Sequence, residues 1–183
     1  MHPQSILHFW FEELTDKQHF VKDTALDEAM RSGFGATLEA AARCELFAWR
    51  ATPEGRLAEI LVLDQFSRNI FRNSVHDGPR AFAQDVLALV LAQEMVAGGH
   101  DQQLKPAQRA FAYMPTMHSE SLVVHEEAVR LFAQPGLENN LNFEQRHKTI
   151  IERFGRYPHR NAILGRTSSA EELAFLSVPG SSF

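Results

Sequence analysis

Apolar side chains recur along this chain at three- and four-residue intervals from one end to the other, and no stretch alternates long enough to make a strand. The pattern predicts an all-α fold. Pro3 opens a first helix in which Ile6, Trp10 and Leu14 share a face. A second helical stretch starts near Thr24 and runs through Leu38, Ala41, Ala42 and Trp49; Gly33 and Gly35 interrupt it, which predicts two helices or one kinked helix. Thr52 and Pro53 read as N-cap and first position of a helix that reaches about Arg72. The turn "HDGP" comes next, and Pro79 starts a helix whose stretch from Ala81 to Ala92 is almost wholly apolar and which Gly98 and Gly99 end. Pro106 opens a short helix through Phe111. Ser119 reads as the N-cap of the next helix, with Glu120 in its first turn. Asn142 with Gln145, and Ser168 with Glu171, have capping-box spacing, and the "PGSSF" end, about 177–183, reads as a loose tail. Seven to nine helices with short connections predict antiparallel pairs packed side by side, although no 34-residue repeat is visible.

Charge intrudes on this pattern in two places. In the helix that ends near Arg72, Asp64, Arg68 and Arg72 share a sector with Leu57, Leu61 and Phe71, while Leu63, Phe66 and Ile70 cover the other side. Such a helix is apolar nearly all round and belongs in the core, so Asp64 and Arg68 go inside with it as an i,i+4 pair. Buried ions cost several kcal/mol each unless paired, so the pair either closes an internal network or faces a cavity. The second place is "RFGRYPHRNAILGR", residues 153–166, which has four arginines and a histidine and no acid. Gly155 fits a helix C-cap and Pro158 the first position of a new helix, which puts His159, Arg160 and Asn161 in its first turn. Cations are disfavoured there by about 0.3–1 kcal/mol. Something negative is therefore expected in front of them: Asp64, Glu120 or a bound anion.

Composition narrows the function classes. A chain of 183 residues is the size of a single helical domain and buries about 70% of its unfolded surface without metal or disulfide. Its one cysteine, Cys44, reads as a small core or helix residue and suits a reducing compartment. The N-terminus shows no secretory leader, and no apolar run approaches the ~20 residues of a membrane span, so a cytoplasmic protein is expected. The net charge of −5 argues against a nucleic-acid partner. Of 18 basic residues 14 are arginine, and six of those fall in residues 64–72 and 153–166. That bias suits guanidinium groups held in fixed geometry against a carboxylate or an anion.

Among the histidines, His118 stands just before Glu120 in "YMPTMHSE", an arrangement that supports acid–base work, or else a histidine that caps backbone. His147 reads as a core residue beside Phe143, Ile150 and Phe154, and His125 and Glu126 as ordinary helix-surface residues. His2, His8, His19, His76 and His100 join no constellation. No metal-binding spacing, cofactor fingerprint, phosphate loop or serine-nucleophile elbow occurs, so neither metal nor cofactor is expected.

"LDQFSRNIFR", "RAFAQD", "YMPTMHSE" and "RFGRYPHRNAILGR", in this order, resemble a bacterial family called domain of unknown function 924, over about Ile6 to Leu176. The resemblance implies a tetratricopeptide-repeat-like stack of helix pairs and no particular activity. It maps family positions onto Asp64, Gln65, Arg68, Asn69, Arg72, Phe82, Asp85, His118, Ser119, Glu120, Arg156, Pro158, His159, Arg160, Asn161, Gly165 and Arg166. Three positions depart from it: Ser67 stands where proline is usual, Met117 where an acid is usual, and Cys44 where glycine is common.

Three functions remain. The first is a binding module, in which Asp64, Arg68, Arg72, Arg156, His159, Arg160 and Asn161 hold a small anion or the acidic end of a peptide. The second is a hydrolase or transferase for an anionic small molecule, with His118 or His159 as acid–base, Asp64 or Glu120 orienting, and the arginines stabilising developing charge. The third is a purely structural network.

Overall fold

The computed structural model describes residues 1–72, 74 and 77–181; His76 and the last two residues of the predicted tail lie outside them. As expected, the fold is all-helical, with no strand among the described residues. Two compact units divide it, Met1–Pro115 and Thr116–Phe183.

In the first unit, helix α1 (Pro3–His8) widens without a break into a π turn, Phe9–Glu13. After the short α2 (Asp16–Phe20) comes α3, Thr24–Ala42, capped by Asp23, whose carboxylate accepts from the N–H of Ala25 and of Leu26. Gly33 and Gly35 do not interrupt α3, contrary to expectation. Each costs about 1 kcal/mol of propensity, which the burial of Met30, Leu38 and Ala41 offsets. Cys44 comes after the helix instead of lying within it: it is exposed and left-handed, at φ 58°, so it is neither a core nor a helix residue.

The central helix α4 starts as expected, with Thr52 Oγ1 accepting from Gly55 N–H at 3.1 Å. It runs as Pro53–Leu61, a π turn Val62–Phe66 and Ser67–Phe71, and packs against α1, α3 and the next long helix. Leu57, Ile60, Leu61, Leu63 and Phe66 are fully buried, which bears out the reading of a helix apolar on every side. Pro79 starts only a 3-10 turn, Gly78–Ala81; the α-helix itself, α5, is Asp85–Ala97, ended by Gly98 and by Gly99 at φ 67°. Helix α6 spans Pro106–Met117, six residues past the expected end, with Pro115 inside it.

The second unit pairs α7 (Leu122–Phe132) with α8 (Glu138–Phe154). Only five residues connect them, which makes them antiparallel neighbours. The N-cap of α7 is Ser121, two residues later than expected, because Ser119 Oγ accepts from the N–H of Ser121 and Glu120 turns away before the helix. Asn142 lies inside α8, not at its start: Gly136, at φ 86°, makes the turn, and its N–H donates to Glu138. The final helix α9, Ala170–Leu176, is closed by a capping box of Ser169 with Glu172, one residue later than read from the sequence. At the tail, buried Ser181 donates to the carbonyl of Leu176.

Candidate functional site

The nominated residues fall into both units: Asp64, Arg68 and Arg72 in the first, and His118, Glu120, Arg156, His159, Arg160 and Asn161 in the second. In the first, the π turn carries Asp64 into the core at zero exposure. Arg68 reaches back one turn to its carboxylate (3.1 Å) and main-chain carbonyl (2.8 Å), and forward to Asp85 through two parallel bonds of 2.9 and 3.0 Å. The same guanidinium lies over the ring of Phe82. The expected i,i+4 pair thus forms, and Asp85 joins it as a second acid. Arg72 sits instead beside buried Asp27, with Nε 3.3 Å from Oδ2, and Asn69 donates to the other oxygen at 3.1 Å. Burial pushes the Asp27 carboxyl up, and Arg72 and Asn69 pull it partly back.

In the second unit, Gly155 ends α8 in the left-handed conformation, as expected, at φ 67°. The next element is a single 3-10 turn, Pro158–Arg160, and not an α-helix, so no helix dipole of consequence stands in front of His159. The negative group expected near this turn is Glu120. It accepts from the N–H of Tyr157 at 2.7 Å and takes both arms of Arg166, at 2.6 and 2.9 Å. Burial opposes its charge, yet Arg166 and the Tyr157 N–H hold it below the usual carboxylate range. Arg166 also donates to Asn161 at 2.9 Å, and Asn161 to Ser168 at 3.0 Å. Arg156 forks onto Glu172 at 2.6 and 2.8 Å and donates to the carbonyl of Thr167; with the Ser169 N–H, it draws Glu172 down to about 2. The one-residue shift of the capping box is what delivers Glu172 to Arg156.

Around Tyr157, fully buried, lies a second arrangement. The Arg160 guanidinium covers its ring at 4.6 Å, and the rings of His159, His147 and His125 stand at 5.5, 5.7 and 6.3 Å. Arg160 and His147 are buried, His118 and His159 half-buried. His125 is the clearest miss: instead of lying on the helix surface it is wholly buried. Its Nδ1 is 2.6 Å from Glu144, and its Nε2 lies 2.8 Å from the carbonyl of Ser119 and 3.2 Å from the hydroxyl of Tyr157, which itself donates to the carbonyl of Met117. A carbonyl only accepts, so Nε2 carries a proton, and a second proton is shared between Nδ1 and Glu144. Burial pushes the Glu144 carboxyl up, and its partner His125 pulls it down. The spacing of His125 with Ala128 and Phe132 is the apolar stripe of α7 and was the available signal.

These observations define an all-helical protein in which Arg68, Arg72, Arg156 and Arg166 are clasped by its own acids. The chain belongs to the family described as "Bacterial protein of unknown function (DUF924)", whose family model matches residues 6–180. Its fold is similar to that of a protein of unknown function, ATU0120, from Agrobacterium tumefaciens, with a TM-score of 0.88 and 37% identity over 96% of each chain. No curated protein matches it.

Proposed function

We propose that the chain is a helical binding module that receives a small anion, or the acidic end of a peptide, beside His118, His159 and Arg160. Asp64, Arg68, Arg72, Arg156 and Asn161, nominated with them, serve the scaffold. The observation behind this reading is the cluster on Tyr157, where the Arg160 guanidinium lies 4.6 Å from the ring centre and the His159 ring 5.5 Å from it. His159 beside it and His118 next to Glu120 are both partly reachable from solvent. In the test, melting temperature is followed in phosphate, sulfate, acetate and chloride at equal ionic strength. Phosphate or sulfate is expected to stabilise the chain beyond chloride, and Arg160→Gln to abolish that difference. No difference among the anions refutes the reading.

The structural alternative is favoured by the forked pairs Arg68–Asp85 and Arg156–Glu172, whose geometry suits a lock. Under it, Arg160→Gln lowers the melting temperature and no anion raises it. Catalysis by His118 or His159 is less well supported. Both oxygens of Glu120, its candidate orienting acid, are taken by Arg166 and the Tyr157 N–H, and the His125–Glu144 pair is wholly buried.

A further inference from the structure

A short loop, residues 118–121, leads from α6 into α7 and carries His118. Main-chain carbonyls in such a loop ordinarily turn to water. Those that bracket His118 are instead taken by buried side chains: the Tyr157 hydroxyl donates to the carbonyl of Met117 at 2.5 Å, and His125 Nε2 to that of Ser119 at 2.8 Å. Neither donor is free to drift. Glu144 clasps His125 from its other nitrogen at 2.6 Å, and Tyr157 is fully buried, its hydroxyl 3.2 Å from Nε2. The main chain of Tyr157 serves the same loop. Its N–H donates to Glu120 at 2.7 Å, and its carbonyl accepts from Arg166, which holds that carboxylate, and from the N–H of Arg160, each at 3.1 Å. Its ring meanwhile carries the Arg160 guanidinium and the ring of His159. One residue thus ties the loop of His118 to the turn of His159 and Arg160. Phenylalanine would fill the same volume without a buried hydroxyl to satisfy, so what the O–H adds is its hold on Met117.

We propose that Tyr157 is the positioning residue of the anion site: through its hydroxyl, with His125 beside it, it fixes the loop of His118 relative to the His159 and Arg160 that rest on its ring. The proposal rests on the anion reading for what the site receives, but not for the hold on the loop. Without the hydroxyl the loop keeps one of its two carbonyl holds, and a bound anion has to order it. That ordering is drawn from the binding energy and weakens affinity.

The test is Tyr157→Phe, which removes one oxygen and leaves the ring, the N–H and the carbonyl. The amides of Ser119 and Ser121, bonded to the Thr116 carbonyl and to Ser119 Oγ, report on the loop by hydrogen exchange. Their exchange is expected to quicken by about two- to tenfold relative to the amides of α7 and α8, the worth of one hydrogen bond. Inorganic phosphate is titrated against chloride at constant pH and ionic strength, and the ring signals of His118 and His159 are followed. It is expected to bind the variant about two- to tenfold more weakly than the wild type. Equal phosphate affinity in the two proteins, or faster exchange spread evenly over residues 116–181, overturns the proposal, because the hydroxyl then contributes to stability alone. Wild-type rings that ignore phosphate refute the anion reading only, and the exchange comparison still decides whether Tyr157 holds the loop. If Tyr157→Phe does not fold, exchange in the wild type decides: Ser119 and Ser121 amides protected like those of α7 uphold the hold, and exchange at the rate of open chain overturns it.

Discussion

Cys44 and Gly55 show opposite demands on a single Cβ. Cys44 holds φ 58° at the end of α3, where an L side chain is strained by about 1–2 kcal/mol, and it stands where the family resemblance expects glycine. It is exposed, so its side chain contributes little packing. Cys44→Gly is expected to stabilise the chain by about 0.5–1 kcal/mol, the relief of strain less the extra entropy of glycine; a higher urea midpoint would show it, and an unchanged or lower one would count against it. Gly55 is the reverse case. A Cβ there would lie 2.0 Å from the carbonyl oxygen of Trp49, a backbone atom that cannot swing aside. Gly55→Ala is expected to cost about 1–3 kcal/mol despite alanine's better helix propensity, and a variant as stable as the wild type would contradict the close approach. The first effect was hinted at by the resemblance. The second was invisible in sequence, because it depends on where Trp49 comes to rest.

Between elements, what matters is which acid each arginine or histidine meets. Arg68 ties α4 to the start of α5 through Asp85 while holding Asp64. Arg68→Met leaves two mostly buried carboxylates without that counter-charge, and a loss of about 3–5 kcal/mol is expected in urea unfolding. Adding Asp85→Asn to it should cost less than the two single losses summed, because they share one interaction. The His125–Glu144 pair joins α7 to α8 in the same way. His125→Ala should cost about 3–5 kcal/mol by stranding a buried carboxyl. Glu144→Gln, whose amide can still donate to Nδ1, should cost less than half of that; equal losses would show that the shared proton is not what holds the pair. The i,i+4 pair Asp64–Arg68 was legible from the sequence because both partners lie on one helix. Asp85, Asp27 and Glu172 were not assigned to their arginines, since the partners lie on separate elements and no sequence spacing joins them.

For the whole molecule, stability should depend on pH with contributions of both signs. His147 and His19 are buried with pKa values lowered from 6.5, so the stability they contribute is complete above that value and declines as pH falls through it. Glu172, lowered to about 2 by Arg156, contributes above its usual 4.5 and is lost between 4.5 and 2. Asp27 and Glu144, raised by burial, act oppositely: the folded state holds their protons more readily, which offsets part of the acid loss. Stability measured by urea is thus expected to decline gently from about pH 6.5 and more steeply below about 4.5. A profile flat to pH 4.5 would mean that the buried histidines gain their protons without penalty.

The sequence by itself determined the helical class, the buried all-apolar α4, the caps at Thr52 and Gly155, and the two arginine-rich stretches. Each of these arises from local periodicity or from the backbone preferences of single residues, which act within a few positions. Tertiary structure alone decided that α3 runs through its glycines, that Pro158 begins one turn and no helix, and that His125 turns inward. It also gave Arg68, Arg72, Arg156 and Arg166 their acids and surrounded Tyr157 with histidines. These outcomes depend on burial and on charge pairing across tens of residues, where a buried ion must find its partner whatever the distance along the chain.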